Sequence, residues 1–155
     1  MHEANLNIRA AFIDYEYRIM STAEDNRAYG EGDKSFLTAG GEAGLKQLAD
    51  DFYQAMCTLP QAQHILSMHE EDLAISSDKL YRFLCGWLGG PKLYREKYGA
   101  IAIPKAHAHL DIGIEERDAW LACMAEALKD KDYPQDFKEY LLEALMFPAN
   151  RCRNR

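Results

Sequence analysis

The stretch His107-Ala-His-Leu-Asp-Ile-Gly-Ile-Glu-Glu-Arg-Asp-Ala-Trp120-Leu-Ala-Cys-Met124 is the most informative part of this sequence. It begins with a histidine at the edge of an apolar patch, and a tryptophan follows thirteen residues later in a predicted helix. Upstream, Gly89-Gly90-Pro91 ends another helix, because glycine and proline both disfavour its continuation. An imidazole can ligate a metal ion, so His107 is a candidate ligand whose role depends on the motifs in the rest of the chain.

Apolar residues repeat with a helical period along almost the whole chain. Such stripes predict five long helices, over residues 8–19, 45–56, 76–87, 115–128 and 137–145. Pro148 is expected to end the last helix. Residues 26–35, which include two glycines, are interpreted as a linker, followed by a short turn at 35–38. At most short helices are expected between residues 92 and 113. Strand-like alternation of useful length is missing, so the fold class is predicted to be all-α.

Length and composition indicate one globular domain. The 155 residues are enough for a real core, and 48% of them are apolar and 28% charged. No apolar run approaches the roughly 20 residues of a membrane span. The first seven residues lack the apolar region of a secretory signal. A net charge of −7 argues against nucleic acid or anionic lipid as the main partner. We therefore expect a cytoplasmic protein that binds neither nucleic acid nor membrane.

The cysteines are widely spaced and form no CxxC pair, which excludes a zinc ribbon or a covalent haem-attachment motif. They are Cys57, Cys85, Cys123 and Cys152. The first three lie within apolar helical stretches, so we interpret the cysteines as small buried thiols in a reducing compartment.

Several motifs in a fixed order resemble the group II truncated haemoglobins. They are Tyr29-Gly-Glu-Gly-Asp33, Asp51-Phe-Tyr53, Phe83-Leu-Cys-Gly-Trp-Leu-Gly-Gly-Pro91 and Glu116-Arg-Asp-Ala-Trp120-Leu-Ala-Cys-Met124. The resemblance implies a two-over-two helical sandwich around haem b. We assign residues 31–150 to this truncated globin domain, residues 1–30 to an added N-terminal helical extension, and residues 151–155 to a basic C-terminal tail.

By this resemblance His107 is the proximal ligand of the haem iron, because the family separates its ligand from the tryptophan by the same interval. His109 is the alternative, since it lies only two residues away. His107 is preferred because Leu110 and Ile112 then occupy the family's apolar positions beneath the porphyrin.

On the distal side the resemblance implies ligand-binding roles for Tyr53 and Trp120. A phenol O–H and an indole N–H both donate hydrogen bonds to a small ligand. His69 is expected to join this network, and whether His69 or Tyr53 ligates the resting iron stays open. Ser76 and Leu80 are expected to face the haem, with the small Ser76 opening a side entry to the iron.

The remaining predicted pocket residues flank the ring or meet its carboxylates. Lys79 and Tyr94 are expected near the propionates, where a cation offsets negative charge. The others are Met68, Leu73, Phe83 and Met124. The chain departs from the family at Ala106, which replaces an arginine beside the ligand, and at Pro104, which should stiffen the segment. Glu115-Glu116 is interpreted as a pair of carboxylates that favour a helix start.

The function implied is binding of O₂, NO, CO or similar small ligands, with a role in NO or peroxide detoxification or other redox chemistry. An NO dioxygenase-like or peroxidase-like activity would need a separate reductase, because the chain has no flavin or NAD fingerprint. A monomer or weak homodimer is expected. A sensor or interaction module acting through residues 1–30 is the alternative, and a haem-free helical bundle is a third possibility.

Overall fold

A computed structural model of the protein describes residues 25–155. This part of the chain is helical and contains no strand, which confirms the all-α prediction. Its helices are α1 (Lys34–Thr38), α2 (Gly41–Thr58), α3 (Gln63–Ser67), α4 (Leu73–Trp87), α5 (Leu93–Tyr98), α6 (Ile103–His107), α7 (Ile114–Lys129) and α8 (Gln135–Arg151), with a 3-10 turn at Pro60–Ala62. None of these helices is both long and apolar enough to cross a bilayer. The helix predicted over residues 8–19 lies outside the described residues.

Four long helices build the core. Helix α2 packs against both α4 and α7, and α7 packs against α8. The apolar stripes of α2 and α8 are mostly buried, as their spacing predicts. Tyr53, Tyr140 and Ala144 are only partly buried. Each large apolar side chain that is fully buried contributes about 1.5–3 kcal/mol through burial. The fully buried residues of the two stripes are Leu45, Leu48, Ala49, Phe52, Met56, Phe137, Leu141 and Leu145.

The turn after α4 explains two of the quoted motifs together. Gly89 has φ +94°, a left-handed conformation that favours glycine. A Cβ at Gly89 would collide with the backbone of Gly32, and one at Gly90 would collide with the ring of Phe36. The Phe36 N–H also donates to the Leu88 carbonyl at 3.1 Å. The 29–33 motif and the Gly-Gly-Pro motif are therefore two halves of one contact.

Three local predictions were wrong. Residues 34–38 form a helix and not a turn. Helix α8 does not end at Pro148 but continues to Arg151. Proline removes one N–H donor from the helix, and Pro148 is nevertheless accommodated within α8, where its ring is buried. Cys57 is exposed, unlike the buried Cys85 and Cys123, because it faces away from the core on α2.

The segment interpreted as a linker is irregular but held in place. Arg27 donates to Asp25 at 3.0 Å and to Asp33 at 2.8 Å. The Tyr29 hydroxyl donates to Asp136 at the start of α8 at 3.0 Å, and the ring of Tyr29 packs against Phe137. Residues 25–33 thus belong to the packed body of the protein.

Candidate functional site

A cavity of about 380 Å³ lies between α2, α4, α6, α7 and α8. Its volume is in the range of small-molecule and cofactor sites, and its walls are mainly apolar. Most of the residues predicted to form a pocket line this cavity. They are Tyr53, Met68, His69, Ser76, Lys79, Leu80, Phe83, Tyr94, His107, Leu110, Ile112 and Trp120. Leu73 and Met124 do not line it; Leu73 begins α4, and Met124 is fully buried in the core.

His107 is the last residue of α6 and is partly buried at the cavity wall. Its Nδ1 lies 2.7 Å from the Ile103 carbonyl oxygen, one helical turn earlier. A carbonyl can only accept, so Nδ1 carries the proton and donates. In a neutral imidazole this leaves a lone pair on Nε2, the arrangement usual for metal-ligating histidines. His109 is exposed and does not line the cavity.

His69, which also lines the cavity, likewise bonds a backbone carbonyl four residues earlier through its Nδ1. Its Nδ1 donates to the Ile65 carbonyl at 2.7 Å, which leaves Nε2 as the acceptor of a neutral ring. Its ring meets the Tyr53 ring edge to face, with the centroids 5.6 Å apart. The structure therefore brings Tyr53 and His69 together, although sixteen residues separate them in the sequence.

Two hydrogen-bond donors face the cavity from long helices. Burial raises the pKa of the Tyr53 phenol well above its usual value, and the nearby Cys123 adds to this effect. The phenol therefore keeps its proton at physiological pH. Trp120 lies on α7 and packs against Phe52, with ring centroids 5.0 Å apart. Phe52 also meets the Tyr53 ring at 5.0 Å, so one buried phenylalanine holds both donors.

Helix α4 supplies an apolar wall through Leu80 and Phe83, with Ser76 one turn before Leu80. Ser76 is partly buried and Leu80 is almost fully buried. Phe83 stacks on Trp87 with centroids 6.1 Å apart, which fixes the plane of its ring. Apart from the Ser76 hydroxyl and the Lys79 side chain at the rim, this side of the cavity therefore offers flat apolar surface.

Cationic and phenolic groups gather at the rim. The Lys79 ammonium lies 5.3 Å from the centre of the Tyr98 ring. The Tyr98 hydroxyl donates to Asp78 at 2.6 Å, and Lys97 and Arg82 also donate to this carboxylate. Burial alone would raise the pKa of Asp78, but the three hydrogen bonds outweigh burial and lower it to about 2. Asp78 thus stays ionised and ties α5 to α4.

Several lining residues were not predicted. Pro148 of α8 and Cys152, which directly follows the last residue of α8, line the cavity, and Arg117 lines it from α7. Glu116 also lines it and is only 4% exposed, so it is not merely a helix-start carboxylate. Arg155 donates to Glu116, and a ring nitrogen of His64 lies 3.6 Å away. Of these residues, only Pro148 and Cys152 had a sequence signal. It is their four-residue spacing, which matches a helical turn only if the helix continues past Pro148.

The fold and cavity define a class: a small all-α protein with helix pairs around an apolar, histidine-lined slot. A model of the bacterial-like globin family matches residues 35–154. The group 2 truncated hemoglobin YjbI of Bacillus subtilis is 33% identical over 114 residues, which are 74% of this chain and 84% of that protein. The chain therefore belongs to the bacterial-like globin family, in its group II truncated haemoglobin branch.

Solved structures agree with this assignment. The group II 2-on-2 hemoglobin from Agrobacterium tumefaciens is 30% identical, with a TM-score of 0.74 over 84% of this chain and 98% of that chain. The cold-adapted truncated hemoglobin of Pseudoalteromonas haloplanktis TAC125 is 31% identical, with a TM-score of 0.74 over 78% and 98%. The two-over-two fold prediction is confirmed, and the family implies haem-based binding of small ligands such as O₂.

The residues of the cavity fit a haem. The walls from α4 and the 110–112 segment are apolar, as a porphyrin face requires. An imidazole Nε2 with a free lone pair is available at His107, and Lys79 stands at the rim for a carboxylate. Ala106 lines the cavity where the resemblance leads us to expect an arginine, so one cation is missing from that edge.

Proposed function

We propose that this protein holds haem b through His107 Nε2 and uses it to bind O₂ and related diatomic ligands in redox detoxification. When bound, the haem supplies the iron centre and its electron. The observation that carries the proposal is the His107 ring, whose Nδ1–H is bonded to Ile103 and whose Nε2 is the free acceptor. The exposed position of His109 outside the cavity favours His107 over its neighbour.

The donors Tyr53 and Trp120 support a role in stabilising a ligand with negative charge on oxygen. Hydrogen bonds in an enclosed apolar cavity are stronger than in water. A phenol is protonated at physiological pH even at its ordinary pKa, and burial raises the pKa of Tyr53 further, so Tyr53 can donate across the physiological pH range. Donors of this kind slow the release of O₂, which suits NO or peroxide chemistry better than oxygen delivery. A separate reductase would then return the electron, in the cytoplasm.

His69 is proposed as a third distal group. Its contact with Tyr53 orients the phenol, and its Nε2 can accept a hydrogen bond in the neutral ring. Ser76 leaves room beside Leu80, so small ligands are proposed to enter past α4. Lys79 and Tyr94 are proposed to hold the haem carboxylates at the rim.

Absorption spectra of the ferric, ferrous and CO-bound protein test haem ligation. We expect a Soret band in the wild type and in His109→Ala, and loss of the histidine-ligated ferrous spectrum in His107→Ala. If His109→Ala loses that spectrum and His107→Ala keeps it, the ligand assignment is wrong. Colourless protein that does not take up added hemin would contradict haem binding altogether and leave a haem-free bundle.

The detoxification role has its own test. The oxygenated protein is mixed with one equivalent of NO, and nitrate is measured. We expect stoichiometric nitrate. If the protein binds O₂ but forms no nitrate, the NO dioxygenase role is contradicted while the haem assignment stands.

A further inference from the structure

The segment that joins α6 to α7 is held by a residue far away in the sequence. The Asn154 amide nitrogen Nδ2 donates to the His107 carbonyl at 3.2 Å and also to the Leu110 carbonyl. Its Oδ1 accepts from the Ile112 N–H at 3.0 Å. The backbone N–H of Asn154 donates to the Ile112 carbonyl at 2.8 Å. One side chain thus satisfies three backbone groups of residues 107–112.

These bonds matter because α6 is only five residues long and has no fully buried residue. An isolated single turn of helix is unstable in water, and its last carbonyls lack partners within the helix. The His107 carbonyl is one of these last carbonyls. Asn154 and the N–H of Leu110, which donates at 3.0 Å, provide its partners.

The imidazole moves with this turn. Its Nδ1 is bonded to Ile103 in the same turn, so ring and backbone form one rigid unit. This bond lies within α6, so it does not determine how α6 and the His107 ring are oriented relative to the cavity. The orientation must come from outside α6, and α6 packs against α8, the helix that leads to Asn154.

Arg155 continues the same attachment. Its guanidinium donates to Asp111 and to the buried Glu116, which lie on either side of Gly113. The Arg155 side chain passes so close to Gly113 that a Cβ there would lie 2.9 Å from its guanidinium. Asn154 and Arg155 together fasten the whole 107–116 stretch to the end of α8.

We propose that Asn154 is a positioning residue for His107, which sets the direction of the imidazole toward the iron through the His107, Leu110 and Ile112 backbone. The inference rests on the proposed function, since it assumes that His107 is the ligand. It assigns a role in the site to the segment after α8.

The test compares Asn154→Ala and Asn154→Asp with wild type, using full-length protein. Asn150→Ala is the matched control, because Asn150 also lies near the end of α8 and bonds two arginines but nothing in residues 107–113. The first readout is the Fe–His stretching band of the ferrous protein by resonance Raman. The second is hydrogen exchange of the Ile112 amide in the haem-free protein, and the third is the rate of hemin loss to apomyoglobin.

We expect a shifted or broadened Fe–His band in both Asn154 variants, and hemin loss about 10-fold faster, as for other residues that orient metal ligands. Asn154→Asp keeps an acceptor for the Ile112 N–H but loses the donors to His107 and Leu110. Its Ile112 amide should therefore stay protected while its Fe–His band shifts. In Asn154→Ala both readouts should change, and in Asn150→Ala neither should.

An unchanged Fe–His band in both Asn154 variants would overturn the proposal, even if their stability falls. A band that shifts equally in Asn150→Ala would also overturn it, because the effect would then be general loosening of α8. Absence of a His-ligated spectrum in the wild type would instead contradict the proposed function, so the two failures are distinguishable. If Asn154→Ala does not fold, Asn154→Asp alone still decides the outcome.

Discussion

The two sides of the cavity are built in different ways. Tyr53 and Trp120 stand on α2 and α7, helices of 18 and 16 residues that are packed through the core. His107 stands on a five-residue helix with no fully buried residue. Apolar packing against Phe52 holds Tyr53 and Trp120. The His107 backbone is instead held by a polar bond from Asn154, and Arg155 bonds the following segment at Asp111 and Glu116. Packing spreads a position over many contacts, whereas the polar attachment depends on a few bonds.

The largest expected effect comes from breaking the packed side. Phe52→Ala should destabilise the protein by about 3–5 kcal/mol, because it leaves a cavity beneath both Tyr53 and Trp120. Urea unfolding measures this. Phe147→Ala is the control, since that ring is 68% exposed and should change stability little. Equal effects of the two substitutions would contradict the description of a packed distal side.

A second prediction concerns the contact between α4 and α5, where Asp78 of α4 accepts hydrogen bonds from Lys97 and Tyr98. The pKa of Asp78 is lowered to about 2 in the folded protein, below its unfolded value. Its contribution, about 1–2 kcal/mol, is therefore present above about pH 4 and is lost as the pH falls toward 2. Asp78→Asn should be less stable than wild type at pH 7, and the difference should shrink in acid.

Denaturant unfolding at several pH values checks this dependence. Asp118→Asn is the control, because Asp118 is exposed and pairs only with the adjacent Arg117 among the described residues. A stability difference for Asp78→Asn that is independent of pH between 7 and 3 would show that its ionisation is not involved.

Substitution of the proposed distal donors, Tyr53 and Trp120, should have a smaller effect, on ligand release and not on stability. Tyr53→Phe and Trp120→Phe should each speed O₂ dissociation about 10-fold, because one hydrogen bond is worth about 1–1.5 kcal/mol. Stopped-flow measurements of O₂ release test this. Tyr81→Phe is the matched control, since its hydroxyl points to Glu42 and not into the cavity. Equally fast O₂ release in Tyr81→Phe would contradict the assignment of Tyr53 and Trp120 as the specific donors.

The smallest effect is expected at the rim. Lys79 is exposed, and an ion pair between an exposed lysine and a haem carboxylate contributes about 0–1 kcal/mol. Lys79→Ala should therefore change the rate of hemin loss less than about fivefold. If its effect exceeds that of Asn154→Ala, anchoring at the rim outweighs the attachment of the His107 segment, and the contrast drawn between the two sides is wrong.

Much of the packed side was predictable. The stripe that includes Leu45, Leu48 and Phe52 predicts the buried face of α2. The same helical register places Tyr53 on that side of the helix. The His107 side was harder. The family resemblance favoured His107 over His109, but no periodicity of the sequence itself indicates which imidazole faces a cavity. Residues 103–107 form one turn, too short for a reliable apolar stripe.

The sequence by itself determined the all-α class, the four long helices of the described residues and the family, because these depend on residues within a few turns of each other and on motifs in order. Only the tertiary structure decided that Asn154 reaches His107, 47 residues away, and that Glu116 is buried beneath Arg155. The sequence around a polar residue such as Asn154 contains no pattern that identifies its hydrogen-bond partners. Its hydrogen bonds exist only after the long helices have brought the two segments together.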